Sequence, residues 1–163
     1  MRFIRPLATS IALFGFAGNA LAQSSNDTFV VSAEVIDACN LTANDLDFGN
    51  YSSISGNYVD ATTTLDVTCT NGTSYTVELN VGTTTGATFT GRLLTDTTNT
   101  LEYNLYTTSG RTTVWGDGSG ATQTMAGTGN GSLQSLTVYG RIPASQAMPV
   151  GSYTDTITAE VSF

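Results

Sequence analysis

The chain has 163 residues and a formal net charge of −8, with five cations, all arginine, thirteen acidic residues and no histidine. Arg2 and Arg5 sit at the extreme N-terminus, which leaves Arg92, Arg111 and Arg141 for the rest, too few for the clustered cations that nucleic acid or anionic lipid requires. Without histidine or lysine there is no Ser-His-Asp, Cys-His or Ser-Lys arrangement and no Schiff base, so most enzyme classes lack their parts.

In chain order, Arg2 and Arg5 precede an apolar run over Leu7–Ala17 and the small–x–small triplet Ala20-Leu21-Ala22. This is the pattern of a secretory signal peptide cut between Ala22 and Gln23, its apolar run too short to span a bilayer comfortably. No cysteine stands at the cut to carry a lipid anchor, and no later stretch is long and apolar enough for a membrane helix. The expected product, residues 23–163, is exported without membrane insertion and is the size of one domain with a real core.

Residues 28–39 read TFVVSAEVIDAC. Phe29, Val31, Ala33 and Val35 fall on one side of an extended chain, and Thr28, Val30, Ser32 and Glu34 on the other. The spacing predicts a strand at the free end of the exported chain, where strands are least tied down. Cys39 and Cys69 are the two cysteines. In an exported protein an even pair reads as one disulfide, worth roughly 3–4 kcal/mol in the chain-entropy model. The alternatives are two free thiols or a metal site, and two cysteines without histidine fall short of the usual tetrahedral zinc set.

Further strands are predicted where apolar residues alternate: Leu65, Val67 and Cys69; Tyr75, Val77, Leu79 and Val81; Leu101, Tyr103 and Leu105; Leu136 and Val138; and Ile157, Ala159, Val161 and Phe163. Turn signals separate them at Asn71-Gly72, Gly82–Gly86, Ser109-Gly110, Gly116-Asp117-Gly118, Gly127–Gly131 and Pro143–Gly151. Helical spacing is absent beyond the signal region. The pattern is that of an antiparallel sandwich or barrel, with threonines on the solvent faces. A disulfide from the N-terminal strand region to a strand thirty residues later is compatible with an immunoglobulin-like plan without being diagnostic of it.

Few residues could carry chemistry. Asp45 with Asp47, or Asp60 with Asp66, are possible carboxylate pairs of the glycosidase type, but Asn44–Phe48 reads first as a solvated Asx-turn. Gly116–Gly120 resembles a calcium or phosphate loop only superficially, since further acidic ligands and a following helix are missing, and a turn is expected. Trp115 is a sugar-stacking platform or, more simply, a core cap. Arg111 and Arg141 read as members of ion pairs, with an acidic partner as the alternative. No catalytic residue, metal site or cofactor is expected.

The combination of Ala38-Cys39, LDFGNY (46–51), DATTTLDVTCTNGTSYTVELN (60–80), LEYNLYTTSGRTTVWGDG (101–118) and LTVYGRIPASQAMPVGSYTDTITAEVSF (136–163) resembles the spore coat protein U family, which includes the pilin subunits of archaic chaperone–usher pili. The resemblance implies an incomplete immunoglobulin-like β-sandwich lacking its final strand and completed by donor-strand insertion. A periplasmic chaperone would lend the strand, and at the outer-membrane usher the N-terminal segment of the next subunit would replace it, building a head-to-tail fibre. The corresponding divisions are a signal peptide over 1–22, a donor segment over 23–36 and a pilin-like domain over 37–163.

On that reading Phe29, Val31, Ala33 and Val35 enter a neighbour's groove, for a gross apolar gain of order 5–10 kcal/mol. The opposite face, Val30, Ser32, Glu34 and Ile36, is the alternative, as is an ordinary first strand in the same chain. Ile157, Ala159, Val161 and Phe163, on a strand with no residues after it to close the sheet, would line the acceptor groove and meet the chaperone. The implied function is a structural subunit of an extracellular pilus in adhesion and biofilm formation. A secreted spore or cell-surface coat protein is the second reading, and a carbohydrate-binding tip adhesin, for which the chain is short, the third.

Overall fold

The computed structural model describes residues 22–163, so the expected signal region up to Leu21 lies outside the described residues. The chain divides into two units, Met1–Glu34 and Val35–Phe163. The described part of the first, residues 22–34, contains no helix or strand and every residue is exposed. The second contains eight strands: β1 (Cys39–Ala43), β2 (Val59–Cys69), β3 (Ser74–Leu79), β4 (Arg92–Thr95), β5 (Thr100–Tyr106), β6 (Met125–Thr128), β7 (Gln134–Ile142) and β8 (Ala159–Ser162).

These strands form two antiparallel sheets, one of five in the order β1-β2-β7-β5-β4 and one of three in the order β6-β3-β8. Burial follows the alternation. Leu65, Val67 and Cys69 of β2, Tyr75, Val77 and Leu79 of β3, and Leu101, Tyr103 and Leu105 of β5 form the core between the sheets. The turn at Asn71-Gly72 carries the chain from one sheet to the other, with Gly72 at φ 92°, a conformation glycine adopts freely. Cys39 lies opposite Cys69 in the β1–β2 ladder, and the two are joined as a disulfide.

Three details differ from the sequence reading. The alternating segment 28–35 forms no strand, and the first strand begins at Cys39. Alternation specifies two faces, whereas a strand also requires a hydrogen-bonded neighbour. Next, β3 ends at Leu79 and β8 begins only at Ala159, short of Val81 and Ile157. Asn80 interrupts both, because its side-chain oxygen accepts from Gly82 N (3.1 Å) and Thr158 N (3.0 Å) where a ladder carbonyl would otherwise serve. Finally, β4 and β6 have four residues each, too few for a periodic signal.

Candidate functional site: an open groove beside the last strand

β8 is an edge strand. Val161 lies opposite Val77 and Ala159 opposite Leu79, and among the described residues no strand pairs with its other side. Across the gap stands β1, the edge of the larger sheet. Some Cα atoms of the two strands approach within 8 Å, yet no ladder joins them. A sandwich with this gap leaves backbone donors and acceptors unpaired beside apolar side chains.

Next to the gap lies a groove of about 930 Å³. Its floor is apolar: Leu94 of β4, Leu101, Tyr103 and Leu105 of β5, and Ile142 of β7. One wall is the connection between β1 and β2, which contributes Leu46 and Phe48; the other is the segment Met148–Ile157 that leads into β8. The LDFGNY stretch is shaped for its wall. Gly49 at φ 65° turns the chain while its N–H donates to Asp47 Oδ1 at 2.7 Å, the Asx-turn expected there. Phe48 meets Tyr103 edge-on, with ring centroids 6.0 Å apart, and rests on Gly140, where an added Cβ would lie 2.7 Å from Phe48 Cζ. Gly140 is therefore the position that lets this wall close against β7.

Polar side chains hold the walls. Where β7 stops at Ile142, Gln146 extends the ladder: its Oε1 accepts from Glu102 N at 2.7 Å and its Nε2 donates to Glu102 O at 2.8 Å. Gln146 N donates to the Tyr51 hydroxyl at 2.8 Å, tying the β1–β2 wall to the chain that leaves β7. On the far wall, Tyr103 donates to Asp155 Oδ2 at 2.7 Å. Burial, with the Asp155 hydrogen bond second, pushes the Tyr103 hydroxyl pKa upward, so the phenol stays neutral.

Of the predicted acceptor residues, Ile157 lines the groove, and Ala159 and Val161 are half-buried against the core. Phe163 is 60% exposed. The predicted donor residues are exposed, Phe29 by 86%, Val31 by 82% and Val35 by 84%, with Ala33 exposed too. Val30 at 91% and Ile36 at 72% are alike, so exposure does not choose between the faces. Ala22 and Gln23 at the expected cut are exposed and outside any regular element. The groove floor and Asp155 were missed. Asp155 carried a signal, since it alternates with Tyr153, Ile157 and Ala159 and thus places a carboxylate at an inward position.

The other candidates resolve as structure. Trp115 is fully buried and its Nε1 donates to Val77 O at 3.0 Å. Asp117 caps its own turn by accepting from Ser119 N at 2.8 Å. Arg111 and Arg141 converge on Asp60, at 3.1 and 2.7 Å. Asp60 and Asp66 are six residues apart on one strand, roughly 20 Å at the usual rise, so they form no carboxylate pair. Among the described residues no group of three or more His, Cys, Asp or Glu side chains could hold a metal ion, and no helix is long and apolar enough to cross a membrane.

A family model of the Spore Coat Protein U domain matches residues 25–160, nearly all of the described chain. The chain belongs to the Spore Coat Protein U domain family. No curated protein matches it. Among solved structures, this Spore Coat Protein U domain is similar to a chain in the crystal structure of the CsuC–CsuE chaperone–tip adhesion subunit pre-assembly complex, from archaic chaperone–usher Csu pili of Acinetobacter baumannii. Identity is 22% and the TM-score 0.58, over 79% of this chain and 40% of that one. The domain thus spans well under half of that chain's length, and the likeness is one of fold. The all-β, immunoglobulin-like sandwich with an open strand position expected from the sequence is the fold found.

Proposed function

We propose that this chain is a structural subunit of an extracellular pilus, assembled by the chaperone–usher route through donor-strand exchange, that supports adhesion and biofilm formation. The observation that carries the reading is the edge of β8, unpaired among the described residues, beside a groove of about 930 Å³ with an apolar floor. Strand addition satisfies such an edge and buries alternate side chains in pockets. The signal sequence over 1–22 takes the chain to the periplasm. A chaperone there covers the groove along Ile157, Ala159, Val161 and Phe163, and at the outer-membrane usher the segment 23–36 of the next copy replaces it. Phe29, Val31, Ala33 and Val35 are its inserted face, being more apolar than the alternative. A contact of this head-to-tail kind does not close on itself and propagates as a fibre. The domain over 37–163 is the acceptor, and the role is structural rather than catalytic.

Deleting residues 23–36 while retaining the signal sequence tests this. The truncated protein is expected to be recovered in complex with a coexpressed periplasmic chaperone of the chaperone–usher type but to form no fibres in electron micrographs. Fibres from the truncated chain would overturn the donor assignment. The family description supports a second reading, a secreted coat protein of the same fold, for which micrographs would show a continuous surface layer in place of fibres.

A further inference from the structure

The groove's far wall changes sheets within a few residues. Thr154 pairs with Thr95 of β4 in the five-stranded sheet, through Thr95 N to Thr154 O at 2.9 Å and the return bond at 3.0 Å. Five residues later the chain has become β8 of the other sheet. Whatever fixes this crossing fixes how far β8 stands from the floor, and hence the width of the slot an incoming strand must enter.

Asp155 sits at the crossing. Its Oδ1 accepts from Thr83 N (2.9 Å), Thr83 Oγ1 (3.1 Å), Thr84 N (3.3 Å) and Thr84 Oγ1 (3.3 Å). Its Oδ2 accepts from the Tyr103 hydroxyl of the groove floor. One carboxylate therefore joins the wall, the floor and the loop that follows β3. Hydrogen bonds to an ionised acceptor are stronger than neutral ones and hold geometry more tightly. The loop is fitted to the carboxylate as well: Gly82 is at φ 97°, and a Cβ there would stand 2.0 Å from Asp155 Oδ2.

We infer that Asp155 is the positioning residue that holds the strand-accepting groove in its open, binding-competent shape, with Gly82 as the gap that admits its carboxylate. The inference rests on the donor-strand reading above and adds the residue that sets acceptor affinity. If loss of the carboxylate lets the wall sample other positions, only the competent fraction binds and the apparent affinity falls in proportion.

The test uses the exported protein with its disulfide formed and a fluorescently labelled peptide of residues 23–37, followed by anisotropy. Asp155→Asn is expected to weaken peptide binding by about tenfold, in line with losing charge-assisted hydrogen bonds. Gly82→Ala keeps the carboxylate but displaces it, and should weaken binding comparably. Asp60→Asn, which disrupts the arginine cluster outside the groove, serves as the destabilised control and should leave affinity unchanged. If Asp155→Asn binds as tightly as the unmodified protein, or if Asp60→Asn weakens binding equally, the assignment of Asp155 is overturned. If the unmodified protein takes up no peptide and also shows no self-association through its own segment 23–36, the donor-strand reading itself falls.

Discussion

Arg92 is fully buried with no carboxylate within ion-pair distance among the described residues. Its charge is satisfied by neutral acceptors: Nε and Nη2 donate to Asn80 O at 3.0 and 2.7 Å, Nη2 to Trp115 O at 2.7 Å, and Nη1 to Asn104 Oδ1 at 2.8 Å. Phe89 lies against the guanidinium, 5.5 Å from Cζ to the ring centroid. Burial pulls its pKa down to about 10, which still leaves it charged at neutral pH. The planar fork links the chain just after β3 to β5, one sheet to the other, a span that a lysine ammonium cannot reproduce. Arg92→Lys is expected to cost about 1–3 kcal/mol for each acceptor left unpaired, read as a lower urea midpoint at unchanged slope. An unchanged midpoint would mean that the carbonyls find other donors. Arg111 and Arg141 were legible as ion-paired residues because arginines outside the core of an acidic chain readily find carboxylates. The role of Arg92 was not legible, because its acceptors, two main-chain carbonyls and the Asn104 side-chain oxygen, are brought together only by the packing of two sheets.

At the scale of the element, the strands that announced themselves, β2, β3, β5, β7 and β8, are those whose apolar residues alternate on the core-facing side. β1 is different: five residues, half-exposed to exposed, with a ladder on one side only. The Cys39–Cys69 disulfide fastens its first residue to β2, and Thr70 N to Ala38 O at 2.9 Å continues the pairing outward. Because β1 forms one lip of the open gap, the bridge keeps an otherwise weak edge in place. Replacing both cysteines by alanine is expected to cost about 2–5 kcal/mol, measured by thermal or chemical denaturation against the disulfide-bonded parent. A double variant as stable as the parent would show that the ladder alone retains β1.

At the scale of the whole molecule, the acidic balance sets the response to pH. Asp60 is held below its ordinary value of 3.8 first by the Arg141 hydrogen bonds, and Asp117 by those from Ser119. Hydrogen bonds from Asn99 and Thr98 bring Asp96 down to about 2. A carboxylate whose folded pKa is depressed contributes stability that is present above its unfolded value and is lost as pH falls through the folded one. The denaturation midpoint should therefore hold down to about pH 4 and fall steadily towards about pH 2. Tyr103, Tyr106 and Tyr153 are shifted the other way, up from 10.0, chiefly by burial. Their contribution is present below about pH 10 and is lost as pH rises above it. A midpoint independent of pH between about 5 and 2 would show that these carboxylates titrate alike in the folded and unfolded chains.

Much about this protein followed from its residues in order. Period-two apolar spacing marked most of the strands, turn residues separate them, and two cysteines in a chain expected to be exported pair, because these are local or compositional properties. The family was legible for the same reason, since motifs such as LDFGNY lie contiguous in the chain. What only the tertiary structure decided is which edges meet. The groove draws its floor from β4, β5 and β7 and its walls from two connections a hundred residues apart, and Asp155 reaches Tyr103 and Thr83 only once both sheets have packed. Side-chain alternation says which way a residue faces but not which strand stands beside it, and pairing between distant segments is settled by packing of the whole core.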